Sequence, residues 1–313
     1  MNFGFYVPTR GPNATPTALE CLVSHAERLG FHSAVIADHI VFPVDIQSPY
    51  PYTLNGSFPG QGDALEQLTL MAFIAAKTHR LRLVSSVMIV PYRNPVFTAK
   101  ALATIDVLSA GRLTVGIGVG WLREEFEALD AAPFEHRGAV TDEYVRIFRH
   151  LWSEDCSDFE GRFYQFSALR CDPKPVQQPY PPIWIGGHST PALRRVARFG
   201  EGWHPVGANP AVPLGANELK VKLDELRALT EAAERDFDDL VISYKAPLYD
   251  SGAPLTSGET RRPFTGHPQQ IIADIETFSA LGVGELIFDF RHPSLNQSLE
   301  KMEHFSASIM GYS

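Results

Sequence analysis

The sequence lacks any run of about eighteen consecutive apolar residues, the length that a membrane-spanning helix needs. It nevertheless has enough apolar side chains for a large core, because 44% of its 313 residues are hydrophobic. The stretch MNFGFYVPTR also lacks the basic and then apolar segments of a signal peptide. We therefore expect a cytoplasmic protein.

Basic residues and cysteines are scarce as well. The 27 Lys and Arg residues are outnumbered by 36 Asp and Glu residues, and the net charge of −9 argues against nucleic acid as the main partner. The three cysteines, Cys21, Cys156 and Cys171, are an odd number without CxxC spacing. This pattern favours free thiols in a reducing compartment over a disulfide framework or a zinc site.

Two patterns alternate along the chain. Short, nearly continuous apolar runs predict strands buried on both faces of a parallel sheet, and amphipathic stretches between them predict helices. Eight of each favour a (β/α)8 TIM barrel, formed as a single domain by residues 1–313. A doubly wound open sheet is the alternative, but the first strand-to-helix turn, PTRGPNAT, lacks GxGxxG. The strands are predicted at 2–8, 33–38, 81–87, 112–118, 182–187, 202–207, 240–246 and 285–290, and the helices at 15–29, 64–78, 96–109, 139–152, 190–199, 216–235, 268–281 and 294–309.

Three insertions interrupt this alternation, at residues 39–63, 153–181 and 246–267. The first is rich in proline and aromatic residues. The first and third follow the carboxyl ends of predicted strands, which form the active-site face of a TIM barrel. We therefore expect both to be lids or walls of a pocket.

The end of the second strand places an acid, Asp38, beside an imidazole, His39. Imidazole titrates nearest neutral pH, so His39 is a candidate acid or base, although a pocket-lining role is also open. Neighbouring residues of a strand point to opposite faces, so the two side chains are not expected to pair. The strand ends show no carboxylate and histidine spacing typical of a metal site, and we predict none.

The stretch IWIGGHSTPALRRVARFG is the clearest ligand signal. Its two glycines allow close backbone approach, and Ser189 or Thr190 can cap a helix whose amino terminus attracts an anion. Arg194, Arg195 and Arg198 follow on that helix. These features fit either a phosphate cradle with an anion-binding helix or an ordinary turn before a solvated basic surface.

Several motifs in order resemble one family. ADHIVFP, the segment from SSVMIVPYRNP to VGIGVGW, and PPIWIGGHSTPALRRVARFGEGWHP resemble the bacterial luciferase-like superfamily of flavin and deazaflavin enzymes. The resemblance runs over residues 2–207 and continues weakly beyond. VGIGVGW with IWIGG most resembles the branch that uses coenzyme F-420, a 5-deazaflavin. That family's fold is the predicted barrel.

The resemblance implies roles for individual residues. It places His39, with Asp38, near the reactive C5 of the deazaflavin, where it assists hydride or proton transfer. It implies a bulge with a non-proline cis peptide at Ser86-Val87 that props the ring, and a phosphate site at Gly186 to Ser189. The cofactor-binding residues implied are Asp38, Ser86, Val87, Met88, Gly118, Gly120, Ile185, Gly186, Gly187, His188 and Ser189.

One position departs from the family's pattern. F-420-dependent sugar-phosphate dehydrogenases carry a catalytic glutamate just after the fourth strand, where this chain has Trp121. Glu124 and Glu125 come later, on the predicted start of the next helix. The departure argues against oxidation of a sugar phosphate and suggests an apolar wall that stacks on a flat substrate. The expected substrate pocket contains Phe42, Trp121, His204 and Lys245.

These features predict an oxidoreductase that transfers a hydride between coenzyme F-420 and a small organic substrate, by reduction of an activated C=C, C=N or C=O bond. His39 is the expected proton donor, and Tyr244, Lys245 and His204 are rivals. The alternatives are a monooxygenase that uses reduced FMN on the same barrel and a non-catalytic flavin-binding protein. We also expect a homodimer, because the superfamily is often dimeric.

Overall fold

The computed structural model describes residues 1–60, 62–246, 249–251 and 261–312. Eight parallel strands close into a barrel in the order β3-β2-β1-β11-β10-β9-β8-β5, and β3 pairs with β5 to complete the circle. The short strand β4 follows β3 and also pairs with β5. The strands are β1 (Asn2–Tyr6), β2 (Ser33–Ile36), β3 (Arg82–Ser85), β4 (Met88–Ile89), β5 (Leu113–Gly118), β6 (Ser157–Glu160), β7 (Gln165–Leu169), β8 (Ile183–Gly186), β9 (Gly202–His204), β10 (Val241–Ala246) and β11 (Glu285–Phe288). The predicted (β/α)8 barrel is confirmed.

The helices between the strands also agree with the prediction, with one addition. Helix α1 shows why: Thr15 caps it by accepting from the backbone N–H of Ala18, Pro16 is its first residue, and Gly30 ends it in the left-handed conformation. The addition is the short α4. The helices are α1 (Pro16–Leu29), α2 (Gln67–Lys77), α3 (Pro95–Leu108), α4 (Arg123–Ala128), α5 (Arg137–Ser153), α6 (Thr190–Phe199), α7 (Ala216–Ala232), α8 (Pro268–Ala280) and α9 (Leu295–Ser308). Within the described residues, no helix is both long and apolar enough to cross a membrane.

Strand alternation separates two apolar regions. One set of strand residues joins the helices in the main hydrophobic core. The other set points into the barrel lumen, where Val35, Val84, Trp184 and Ile287 form a separate buried cluster. Because the lumen is buried, polar groups placed in it must find partners there.

The insertions have three different outcomes. Residues 39–63, of which the structure describes all but Gln61, form an irregular loop beside the strand ends. Residues 153–181 contain an antiparallel hairpin of β6 and β7, which was not predicted, and Glu143 of α5 binds its turn through three backbone N–H groups. Of the predicted lid at 246–267, residues 247, 248 and 252–260 lie outside the described residues.

Candidate active site

A cleft of about 360 Å³ opens at the carboxyl ends of the barrel strands. Two residues expected to bind the cofactor, Met88 and Ile185, do not line it, because strand alternation turns their side chains into the main hydrophobic core. His188 and Ser189 lie beyond its edge, at the start of α6. The other predicted site residues line the cleft: Asp38, His39, Phe42, Ser86, Val87, Gly118, Gly120, Trp121, Gly186, Gly187, His204 and Lys245.

Asp38 is bound by the protein itself. Both carboxylate oxygens accept from the Arg93 guanidinium at 2.8 Å, and one also accepts from the backbone N–H of Ile89. Burial alone would lower the pKa of Arg93, but its hydrogen bonds to Asp38 and Glu66 raise it. Asp38 is 5% exposed and accepts three hydrogen bonds from Arg93 and Ile89. Its geometry is that of a side chain that orients the strand-three bulge.

His39 makes a different contact, as the strand geometry predicted. Its Nδ1 lies 2.8 Å from Oε2 of Glu125 on α4. The same carboxylate accepts from Tyr92 Oη at 2.9 Å and, through Oε1, from the backbone N–H groups of Ile40 and Val41. A carboxylate can only accept, so Nδ1 of His39 carries the proton and Nε2 is the nitrogen left for the cleft.

Glu125 is the functional residue that the sequence prediction missed. It is fully buried and 86 residues from His39 in the chain. The available signal was an acid in the first turn of a helix after the fourth strand, in the motif WLREEF. The neighbouring Glu124 holds the other side of the loop, since it accepts from the backbone N–H groups of Gln47 and Ser48. Burial opposes the charge of Glu124, but hydrogen bonds from Ser48 hold its pKa below the ordinary value.

Aromatic rings from the 39–63 loop pack over His39. The ring centroids of His39 and Phe42 are 4.3 Å apart, and Phe42 stacks on Phe58 at 5.2 Å. Tyr50 and Phe58 both contact Trp121, at 5.0 Å and 5.6 Å. The loop and Trp121 therefore form a continuous aromatic wall on one side of the cleft.

The floor of the cleft is built around Val87. The Ser86-Val87 peptide bond is cis. A Cβ on Gly118 would lie 2.5 Å from Val87 Cγ2, and one on Gly186 would lie 2.9 Å from Val87 Cγ1. The strand-end glycines thus make room directly for the Val87 side chain, which lines the cleft.

The turn before α6 has an unpartnered polar atom. Gly187 has a φ of +85°, and Ser189 caps α6 by accepting from the backbone N–H of Ala192. Nδ1 of His188 is buried and has no hydrogen-bond partner among the described residues, and burial lowers its pKa. A helix amino terminus beside an orphaned ring nitrogen fits a bound phosphate group. Arg195 does not join this site, because it pairs with Asp142 of α5.

Two bases line the cleft beside Ser86, the buried His204 and the half-buried Lys245. His204 is 1% exposed, its Nε2 lies 2.9 Å from Ser86 Oγ, and burial, with the charge of Lys245, lowers its pKa to about 3. Lys245 Nζ donates to the Ser86 carbonyl at 3.1 Å, and burial, with the charge of Arg291, lowers its pKa to about 7. Tyr244, a rival proton donor, is excluded because its hydroxyl donates to the Leu214 carbonyl inside the core.

The described part of the chain contains no group of three or more His, Cys, Asp or Glu side chains that could hold a metal ion.

Comparisons with known proteins agree with the fold. The model of the luciferase-like monooxygenase family matches residues 1–251. An uncharacterized protein of Mycobacterium tuberculosis is 30% identical over 294 residues, which cover 89% of this chain and 94% of that protein. The FMNH2-dependent dimethylsulfone monooxygenase of Pseudomonas putida is 26% identical over 294 residues, which cover 80% of this chain and 79% of that protein. The structure of an F420-dependent secondary alcohol dehydrogenase in complex with an F420-acetone adduct superposes with a TM-score of 0.77 at 16% identity, over 100% of this chain and 99% of that one.

Proposed function

We propose that this chain, which belongs to the luciferase-like monooxygenase family, is an oxidoreductase that uses coenzyme F-420. Its proposed substrate is flat and apolar and has an activated C=C, C=N or C=O bond that the enzyme reduces. The observation that carries the proposal is His39, held through Nδ1 by the buried Glu125 and turned toward the cleft. A histidine oriented by a carboxylate is an arrangement suited to directed proton transfer.

The residues present fit a tricyclic cofactor with a phosphate-bearing tail. Val87, flanked by Gly118 and Gly186, would support the ring, and the Gly187 to Ser189 turn would hold the phosphate beside the orphaned Nδ1 of His188. When bound, the deazaflavin supplies a hydride to an electron-poor carbon. The protein supplies orientation and the proton.

Glu125 decides which nitrogen of His39 handles that proton. Because the carboxylate keeps Nδ1 protonated, Nε2 is the atom that gives a proton to the substrate or takes one from it. Asp38 does not transfer a proton itself in this proposal, because its carboxylate is already hydrogen-bonded to Arg93 and to the backbone N–H of Ile89. It is a positioning residue for the bulge beneath the ring.

The aromatic wall selects the substrate class and excludes water. Phe42, Phe58 and Trp121 present ring faces and edges to the space above the floor, so a planar apolar compound gains most from burial there. The 39–63 loop is fastened to α4 by Glu124 and Glu125 and covers the His39 side of the cleft. Exclusion of water strengthens the contacts that hold the reacting groups.

A second candidate is a monooxygenase that uses reduced FMN. It is supported by the relative from Pseudomonas putida, an FMNH2-dependent enzyme that is 26% identical to this chain. Both rings are tricyclic and fit the same floor. A non-catalytic flavin-binding protein is less well supported, because such a protein has no use for the His39–Glu125 pair.

Fluorescence titration of the cofactor-free protein with F-420 and separately with FMN tests the choice. Micromolar or tighter binding of F-420 with weak binding of FMN supports the proposal. Preference for FMN moves the protein to the monooxygenase function, for which oxygen consumption is the next assay. Binding of neither overturns the assignment of the Gly187 turn. We further propose that the protein is a cytoplasmic homodimer. Sedimentation of the purified protein tests the dimeric state.

His39→Ala tests the catalytic assignment. We expect turnover to fall by more than tenfold while the cofactor still binds, because general acid–base groups contribute about 100-fold or more. His79→Ala, at an exposed position between α2 and β3, is the matched control. Wild-type turnover in the His39 variant contradicts the assignment.

A further inference from the structure

We propose that a row of polar side chains inside the barrel carries a proton between the cleft and a buried acid, Glu285. The row begins at Ser86, which lines the cleft, and passes through His204 and Ser243 to Glu285. This proposal rests on the proposed function in one respect, the identity of the group that exchanges the proton in the cleft during turnover. The reduction as described above makes no use of Ser243 or Glu285.

Each neighbouring pair in the row is within hydrogen-bond distance. Ser86 Oγ lies 2.9 Å from His204 Nε2, and Nδ1 of the same ring lies 3.0 Å from Ser243 Oγ. Ser243 Oγ lies 3.2 Å from Glu285 Oε2. All four side chains are buried. The row is therefore continuous, and its members polarise one another in a low-dielectric interior.

The hydrogen bonds of the row share one direction. The low pKa of His204 leaves its ring neutral with a single proton. Nδ1 also lies 3.0 Å from the Ser243 carbonyl, which only accepts, so the proton is on Nδ1 and Nε2 accepts from Ser86. Ser243 then donates to Glu285. Every donor points away from the cleft, which is the order needed for a concerted shift.

Glu285 is built into the lumen as an acid that can hold this proton. Burial raises its pKa, although hydrogen bonds from Ser33 and Ser243 and the charge of Arg82 oppose the rise. Ser33 Oγ lies 2.6 Å from Oε1, in space that exists because a Cβ on Gly4 would lie 2.2 Å from that hydroxyl. Buried polar groups cost stability unless they are paired, and each member of this row has a hydrogen-bond partner within it.

One transfer, which starts from ionised Glu285 and ends with Glu285 protonated, balances with solvent in the cleft as the proton source. The Ser86 O–H bond breaks as the His204 Nε2–H bond forms, and the Nδ1–H bond breaks as a Ser243 O–H bond forms. The original Ser243 O–H bond breaks as the Glu285 O–H bond forms, and Ser86 takes up a proton from a hydronium ion in the cleft, which is left as water. The net change is one proton moved and no electrons, and the reverse sequence returns it.

Ser243→Ala cuts the row at its centre and leaves the bond from His204 Nδ1 to the Ser243 carbonyl in place. Ser33→Ala is the matched control, because it removes a second hydroxyl from the same acid but lies off the row. In the cofactor-free full-length protein at acidic pH, transfer into D2O shifts the infrared C=O stretch of any protonated carboxyl group. Glu285→Gln identifies the band that belongs to Glu285.

We expect exchange at Glu285 to be at least tenfold slower in Ser243→Ala than in the wild type and in Ser33→Ala, and Ser243→Thr to restore it. Equal exchange in Ser243→Ala and the wild type overturns the proposal, as does a Glu285→Gln spectrum identical to the wild type. If Ser243→Ala does not fold, Ser86→Ala cuts the row at the cleft with the same expectation. Because no cofactor is present, this result does not depend on F-420 or FMN binding. The proposed function is tested separately, by the titrations with F-420 and FMN.

Discussion

Removal of the Glu125 carboxylate is the sharpest test of how this cleft is held together. Four donors converge on this fully buried group, from His39, Tyr92, Ile40 and Val41, at 2.7 to 3.2 Å. A buried donor left without an acceptor costs about 1–3 kcal/mol, but such costs are not additive. His39 is 16% exposed, so water can satisfy part of the loss. We expect Glu125→Ala to lower the free energy of unfolding by about 3–5 kcal/mol.

Urea unfolding of the cofactor-free protein, followed by tryptophan fluorescence, measures this change. Glu127→Ala is the matched control, because Glu127 lies on the same helix and is exposed, and we expect a change within about 0.5 kcal/mol. A loss below about 1 kcal/mol in Glu125→Ala would refute the reasoning.

Glu125→Gln separates the effect of Glu125 on the His39 tautomer from its hydrogen bonds to the backbone of the 39–63 loop. The amide oxygen can still accept from Ile40 and Val41, but the amide nitrogen now donates toward His39. His39 must then accept through Nδ1 and carry its proton on Nε2. Nitrogen-15 spectra should show the Nδ1–H form in the wild type and the Nε2–H form in the variant. An Nε2–H form in the wild type contradicts the assigned role of Glu125.

Three other perturbations follow from the same geometry. Gly118→Ala places a Cβ 2.5 Å from Val87 Cγ2 and should weaken F-420 binding at least tenfold in the titration, whereas Gly215→Ala, with nothing within 4 Å, should not. Lys245 should react with a small acylating reagent as pH rises through about 7, because only the neutral amine is nucleophilic, and mass spectrometry that finds no rise in Lys245 labelling across that pH would count against the depressed pKa of this amine. Asp38→Asn should lower the free energy of unfolding by about 3 kcal/mol in urea, because Arg93 loses its bidentate partner, and a change below about 1 kcal/mol would show that Glu66 alone suffices.

The elements of this barrel are visible in the sequence because their signals are local. Thr15, Pro16 and Gly30 mark the ends of α1 by their own backbone preferences. The continuous apolar runs identify strands buried on both faces without any knowledge of their partners. The β6–β7 hairpin was missed because its strands are short and largely exposed and lack such runs.

The sequence by itself therefore determined the alternating elements, the face on which the cleft opens and the candidate acid or base, His39. Only the tertiary structure decided what each site residue touches. It brings Glu125 within hydrogen-bond distance of His39 across 86 residues. It turns Met88 and Ile185 into the core. It also packs the Val87 side chain against Gly118 and Gly186, where a Cβ would collide with it. The physical reason is that hydrogen bonds and close contacts depend on distance in space, and closure of the barrel sets those distances through all eight strands at once.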